Sequence, residues 1–171
     1  MLLLKLLQQL VRTLNSDGTP GQVAAGIALG AVFGLTPLLN LHNLLLFLLA
    51  LILNVSLGGV FLGWTLLTPA GFALDPVFDA IGTALLSAPP LVGLWTALYN
   101  MPGVPLTNFN NTVVLGSFVF WAAASAPLFF LARRLVATYR VRVFERLKRT
   151  RAFQAIRAST LYNVYRWFQP N

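Results

Sequence analysis

The sequence predicts an all-α, multi-pass integral membrane protein with three to four membrane segments, on three observations. Hydrophobic residues make up 57% of the chain and charged residues 9%, where an ordinary soluble domain carries about 25% charged residues. No Asp, Glu, Lys or Arg occurs from Gly18 to Leu74, nor again from Ala80 to Ala132. Stretches that long would leave a 171-residue globule too little polar surface to cover itself. Charge is also segregated: residues 133–171 hold ten Lys/Arg against Glu145, a balance of +9, and the remaining charges (Lys5 and Arg12 against Asp17, Asp75 and Asp79) sum to −1. Polybasic segments next to a span stay in the cytoplasm, so the C-terminus is expected there. A basic flank directly after an apolar segment needs no nucleic acid as its partner.

Each element can be justified from its residues. The opening "MLLLKLLQQLVRTLNSD" lacks the uninterrupted apolar core and small-residue cleavage site of a signal peptide. On a helical projection Lys5, Gln8, Gln9 and Arg12 share one side, and Leu3, Leu6, Leu7, Leu10 and Leu14 the other. Residues 1–15 are therefore expected to lie as an amphipathic helix in the membrane interface. Thr19-Pro-Gly-Gln22 has the form of a capping box with proline at the first helical position. The helix it opens carries Gly26, Gly30 and Gly34 at four-residue spacing, one face on which another backbone can approach closely. The spacing leaves open whether that backbone belongs to this chain or another.

Length constrains the next segment. A single helix from Pro20 to Leu53 would run roughly 51 Å at ~1.5 Å per residue, and the hydrocarbon core is only ~30 Å thick. The chain must turn near "LTPLLNLHN", residues 35–43. Two arrangements fit: a re-entrant hairpin that enters and leaves on one side, or a crossing and then a second helix that continues through residues 54–59 toward Leu67. Thr68-Pro-Ala-Gly71 reads as a second break. Asp75-Pro76 reads as a fresh helix start, with Asp75 as N-cap. Residues 100–111 form a polar, turn-rich loop, and Thr112–Ala132 is the cleanest span, ending at Arg133-Arg134. The chain thus divides into an interfacial helix (1–15), a membrane domain (19–136) and a basic cytoplasmic amphipathic tail (137–171). The membrane segments fall at about 20–39, 41–67, 76–98 (partly interfacial) and 112–134.

With these residues in view, "GLTPLLNLHNLLLFLLALILNVSL", "WTALYN" and "FNNTVVLGS" resemble a group of small, uncharacterised bacterial inner-membrane proteins. Their domain of unknown function has a glycine-rich helix, a G-x-x-P break and a second apolar helix ending in asparagine. The resemblance covers most of residues 1–145. Asp75-Pro76 stands roughly where the more widespread branch has Asn-Pro, which marks a side branch. The resemblance implies a multi-pass protein of the bacterial inner membrane and supplies no activity. It also implies a neighbouring large envelope protein of the lipid-bridge type as a partner candidate.

Few residues could carry chemistry. With no cysteine and one histidine, thiolate and multi-histidine metal sites are excluded, and no cofactor is expected. The polar cluster at the break is Thr36, Pro37, Asn40, His42 and Asn43. These side chains could satisfy backbone groups freed by the turn, line a conduit or ligand site, or move a proton. Asp75 and Asp79 read as caps or an ion site. Asn100, Asn108, Asn110 and Asn111 form a polar rim suited to turns, caps or a partner contact. Arg133, Arg134, Arg140, Arg142, Arg146, Lys148, Arg149 and Arg151 are placed to meet anionic lipid headgroups. Three functions fit these residues. The first is a non-catalytic subunit that docks or stabilises a larger envelope protein through the glycine face and the polar loop, with a homo-oligomer as a further option. The second is a lipid or small-solute transporter component, and the third an intramembrane enzyme resting on His42.

Overall fold

A computed structural model describes residues 18–144. The amphipathic helix expected over 1–15 lies outside the described residues, as does the tail beyond 144 with Arg146, Lys148, Arg149 and Arg151. Five helices make up the described part: α1 Pro20–Leu35, α2 Leu41–Ile52, α3 Leu57–Leu86, α4 Val92–Tyr99 and α5 Thr112–Thr138. Short 3₁₀ turns at Pro89–Leu91 and Val104–Thr107 flank α4, and a π-helical turn, Tyr139–Phe144, extends α5. No strand occurs among the described residues.

The capping box opens α1: the Thr19 hydroxyl accepts from the Gln22 N–H at 3.2 Å, and Gln22 Oε1 accepts from the Thr19 N–H at 2.7 Å. Thr36 ends it in extended conformation, because the residue before a proline is pushed out of the helical region. After a five-residue turn α2 runs back along α1. At its end the Ser56 N–H donates to the Gln22 carbonyl at 3.1 Å, bringing the chain back beside the start of α1. Residues 20–52 are therefore a hairpin, and segment 41–67 is not continuous. Leu53–Val55 interrupts it, and Ser56 caps a new helix by accepting from the Gly59 N–H at 3.2 Å.

Two expected breaks are absent. Pro69 and Pro76 both lie inside α3, so Thr68–Gly71 is not a turn and Asp75 is not an N-cap. A proline removes one helical hydrogen bond and crowds the preceding turn. Close packing on both sides of the two prolines outweighs that cost. On one side Gly59, Gly63 and Gly71 rest on α1; on the other Phe78 and Gly82 rest on α5. The tandem Pro89-Pro90, with no such packing behind them, do end the helix; α3 stops at Leu86.

α1 packs against both α3, which runs parallel to it, and α5, which runs antiparallel. Its glycines are the reason it fits. A methyl group on Gly34 would stand 2.6 Å from the Trp64 carbonyl oxygen, and one on Gly26 or Gly30 would collide with the carbonyls of Ser56 or Val60. The seam is reciprocal, since Gly59 meets Val23 and Gly63 meets Ile27. The partner of the glycine face is therefore α3 of the same chain. Gly82 and Gly116 bring α3 against α5 in the same way, at Thr112 and Phe78. Trp121 ties α5 to α1 by donating its indole N–H to the Ala28 carbonyl at 2.8 Å.

Candidate functional site

The turn between α1 and α2 and the loop before α5, 65 residues apart in sequence, meet at one end of the bundle. Within the turn, side chains replace the missing helical hydrogen bonds. Asn43, only 3% exposed, donates its amide to the carbonyls of Pro37 at 2.8 Å and Leu38 at 3.3 Å. Asn40 also donates to the Pro37 carbonyl. The Thr36 hydroxyl stands 2.8 Å from the Val32 carbonyl and 3.0 Å from Asn43 Oδ1, with one proton for the two. Although Asn40 occupies the N-cap position of α2, its side chain caps no N–H. The amides bind the turn's carbonyls instead, which an apolar surrounding would otherwise leave unpaired.

The loop closes over this turn. Asn108 donates to Asn40 Oδ1 at 2.6 Å and to the Leu39 carbonyl at 3.4 Å. Its backbone is left-handed, at φ +54°, a region asparagine tolerates better than most residues. His42 Nδ1 lies 3.2 Å from the Thr107 carbonyl oxygen. A carbonyl can only accept, so Nδ1 carries a proton. Nε2 is buried without a hydrogen-bond partner among the described residues, and the ring stands edge-on to Phe118 at 5.1 Å. Among the described residues no carboxylate is hydrogen-bonded to the imidazole.

The other predicted residues disperse. Asn111 caps α5, accepting from the Val114 N–H at 3.1 Å, and Asn100 closes α4 on the Thr96 carbonyl at 2.8 Å. Asn110 lies in a shallow pocket with Trp95, Tyr99 and Phe109. Asp79 accepts from the Thr112 hydroxyl in the first turn of α5, where a helix end favours negative charge. Asp75 is half-buried in α3 and faces a cavity. Arg140 donates to the Gly18 carbonyl at 2.6 Å, and Arg133, Arg134 and Arg142 are exposed at that same end of the bundle.

Two cavities flank the turn. The larger, about 660 Å³, lies between α2 and α3 and is lined by Phe33, Phe47, Trp64 and Leu106 with Asn40 and Asn43. The smaller, about 450 Å³, is lined by Thr36, Thr68, Phe72 and Asp75 among others. Phe33, Leu38, Leu39 and Trp64 border both. Sequence reasoning missed Phe33, Phe47 and Trp64. They read as ordinary apolar positions, and only the stand-off of α2 from α3 makes them a lining. Among the described residues no group of three or more His, Cys, Asp or Glu could hold a metal ion.

Fold and site define a class: an all-helical, largely apolar bundle with a broken hairpin, two of whose helices are long and apolar enough to cross a membrane, Leu57–Leu86 and Thr112–Arg142. The chain belongs to the bacterial family described as "Uncharacterized protein conserved in bacteria (DUF2062)", whose pattern matches residues 4–144. It is similar to an uncharacterized protein of Treponema pallidum (strain Nichols), 28% identical over 159 residues that cover 93% of this chain and 98% of that one. No solved structure matches it.

Proposed function

We propose that the protein is a non-catalytic subunit of the bacterial inner membrane that docks or stabilises a larger envelope protein. In this reading α3 and α5 are full spans, and the α1–α2 hairpin enters and leaves from the cytoplasmic side. One observation carries the membrane placement. All six charged residues between 18 and 144 sit at the two ends, with Asp75 and Asp79 at one and Arg133, Arg134, Arg140 and Arg142 at the other. Thr112, bonded to Asp79, and Arg133 are separated by about 31 Å of helix at ~1.5 Å per residue, one hydrocarbon thickness. The basic end faces the cytoplasm and its anionic headgroups.

The glycine face is packed inside the chain and so does not serve as the docking contact. That role falls to the polar loop, where Tyr99, Met101 and Leu106 are exposed beside Asn100 and Asn110. No metal, cofactor or nucleic acid enters the proposal. Because the chain contains no cysteine, single cysteines test it cleanly. Met101→Cys should react with an impermeant maleimide in whole cells, and Ala137→Cys only after permeabilisation. A photo-crosslinker at position 101 should capture one envelope protein. Labelling of position 137 in intact cells would overturn the topology, and no crosslinked partner at 101 or 110 would overturn the docking role.

A second reading, a lipid-handling component, is favoured by the paired cavities at the broken hairpin. Discontinuous helices are how membrane transporters build sites.

A further inference from the structure

We infer that the two cavities together hold a diacyl lipid with an ammonium-bearing headgroup, with Asp75 as the residue that selects the headgroup. The inference rests on the lipid-handling reading and names its ligand class. Three observations carry it. First, the cavities are two arms, open apolar clefts that share Phe33, Leu38, Leu39 and Trp64, a shape suited to two chains of one molecule. Second, the larger arm borders the flank of α2, where Leu44, Leu45 and Leu48 are exposed. In the membrane the fluid facing that flank is hydrocarbon, so the occupant drawn in is an acyl chain. Trp64, at the wall of both arms, lies about 16 Å below Asp75 along α3 at ~1.5 Å per residue, the depth of mid-chain carbons beneath a headgroup.

The third observation is charge. Asp75 is half-buried in the smaller arm and has no hydrogen-bond or ion-pair partner among the described residues. Every described arginine is at the opposite end of the bundle. A carboxylate at the edge of hydrocarbon is costly unless it meets an opposite charge. A lipid with only a phosphate would bring a second negative charge to it; an ammonium neutralises it. Asp79, bonded to Thr112, lines neither cavity and serves as the control carboxylate.

The test is native mass spectrometry of the full chain purified in mild detergent and equilibrated with equal amounts of phosphatidylethanolamine and phosphatidylglycerol. The wild type should retain one lipid and prefer the ethanolamine form about tenfold, the size of one charge-assisted hydrogen bond. Asp75→Asn should abolish the preference, Asp79→Asn should keep it, and Leu44→Trp, which fills the larger arm, should remove the adduct. A lipid retained without preference, or a preference that survives Asp75→Asn, overturns the headgroup assignment and leaves the lipid-handling reading standing. No retained lipid, or a second copy of the chain in its place, removes both. An adduct that survives Leu44→Trp places the lipid elsewhere and overturns the site.

Discussion

The two arms of the hairpin are alike in hydrophobicity and opposite in environment. α1, "PGQVAAGIALGAVFGL", is buried over most of its length. α2, "LHNLLLFLLALI", buries only Asn43 and Ala50. The difference is side-chain size. Glycine lets α1 come within backbone contact of α3, and its alanines pack against side chains of α5, whereas a leucine-rich helix cannot approach so closely. α2 touches the bundle through the polar turn at its start, through its one alanine, and between them through Leu46 and Phe47, which pack against Val32, Phe33 and Val60. The cavity between α2 and α3 is bounded by Leu41, Leu44 and Phe47 of α2 together with Phe33 and Trp64. In this fold the small residues build the scaffold and the large ones bound the site.

The largest expected effect comes from making α1 resemble α2. Gly30→Leu drives a side chain into the Val60 backbone, which cannot move as a flexible side chain can. Overpacking ordinarily costs about 1–3 kcal/mol, and a clash with backbone exceeds it. We expect loss of a monodisperse peak in size-exclusion chromatography in detergent. A folded Gly30→Leu variant would show that the seam is looser than its glycine contacts require. Next is Asn43→Ala, which leaves the Pro37 carbonyl to the Asn40 side chain alone and the Leu38 carbonyl to the Asn40 N–H alone, and removes one acceptor of the buried Thr36 hydroxyl. Removing one partner from buried hydrogen bonds costs about 1–3 kcal/mol, to be read as a lowered thermal midpoint in detergent. The effect should be local, with more hydrogen exchange over residues 36–43 than over α1. Uniform exchange would mean that the turn is not what anchors α2.

Much of the fold was legible in the sequence, for reasons that differ by residue. The Thr19–Gln22 box and the Thr36-Pro37 stop are local chemistry, settled within four residues, and the structure has both. The glycine spacing marked a close contact but not its partner, because spacing on one helix carries no information about the other. Pro69 and Pro76 misled for the same reason: local propensity argues for a break, and the packing that overrides it is distant in sequence. The interruption at Leu53–Val55 had only Asn54 and Ser56 as signals inside an apolar run. At the site, Asn40, His42 and Asn43 stood out because polar groups are expensive there. That Asn108 and Thr107 meet them from 65 residues away could be learned only from the fold.

The smallest expected effect is the one that most sharpens the contrast between the arms. Leu45→Ala removes a large apolar side chain, a change that costs about 2–5 kcal/mol in a packed core. Leu45 is 55% exposed on the outer face of α2, so in detergent its loss should change the thermal midpoint by no more than an ordinary surface substitution, about 0.5 kcal/mol. The matched change on α1, Val32→Ala, removes fewer atoms but from a site with no exposure, and should cost more. If Leu45→Ala proves the more damaging, the outer face of α2 is covered by a second copy or a partner even in detergent. The exposed leucines would then be an interface rather than the outer wall of the cavity.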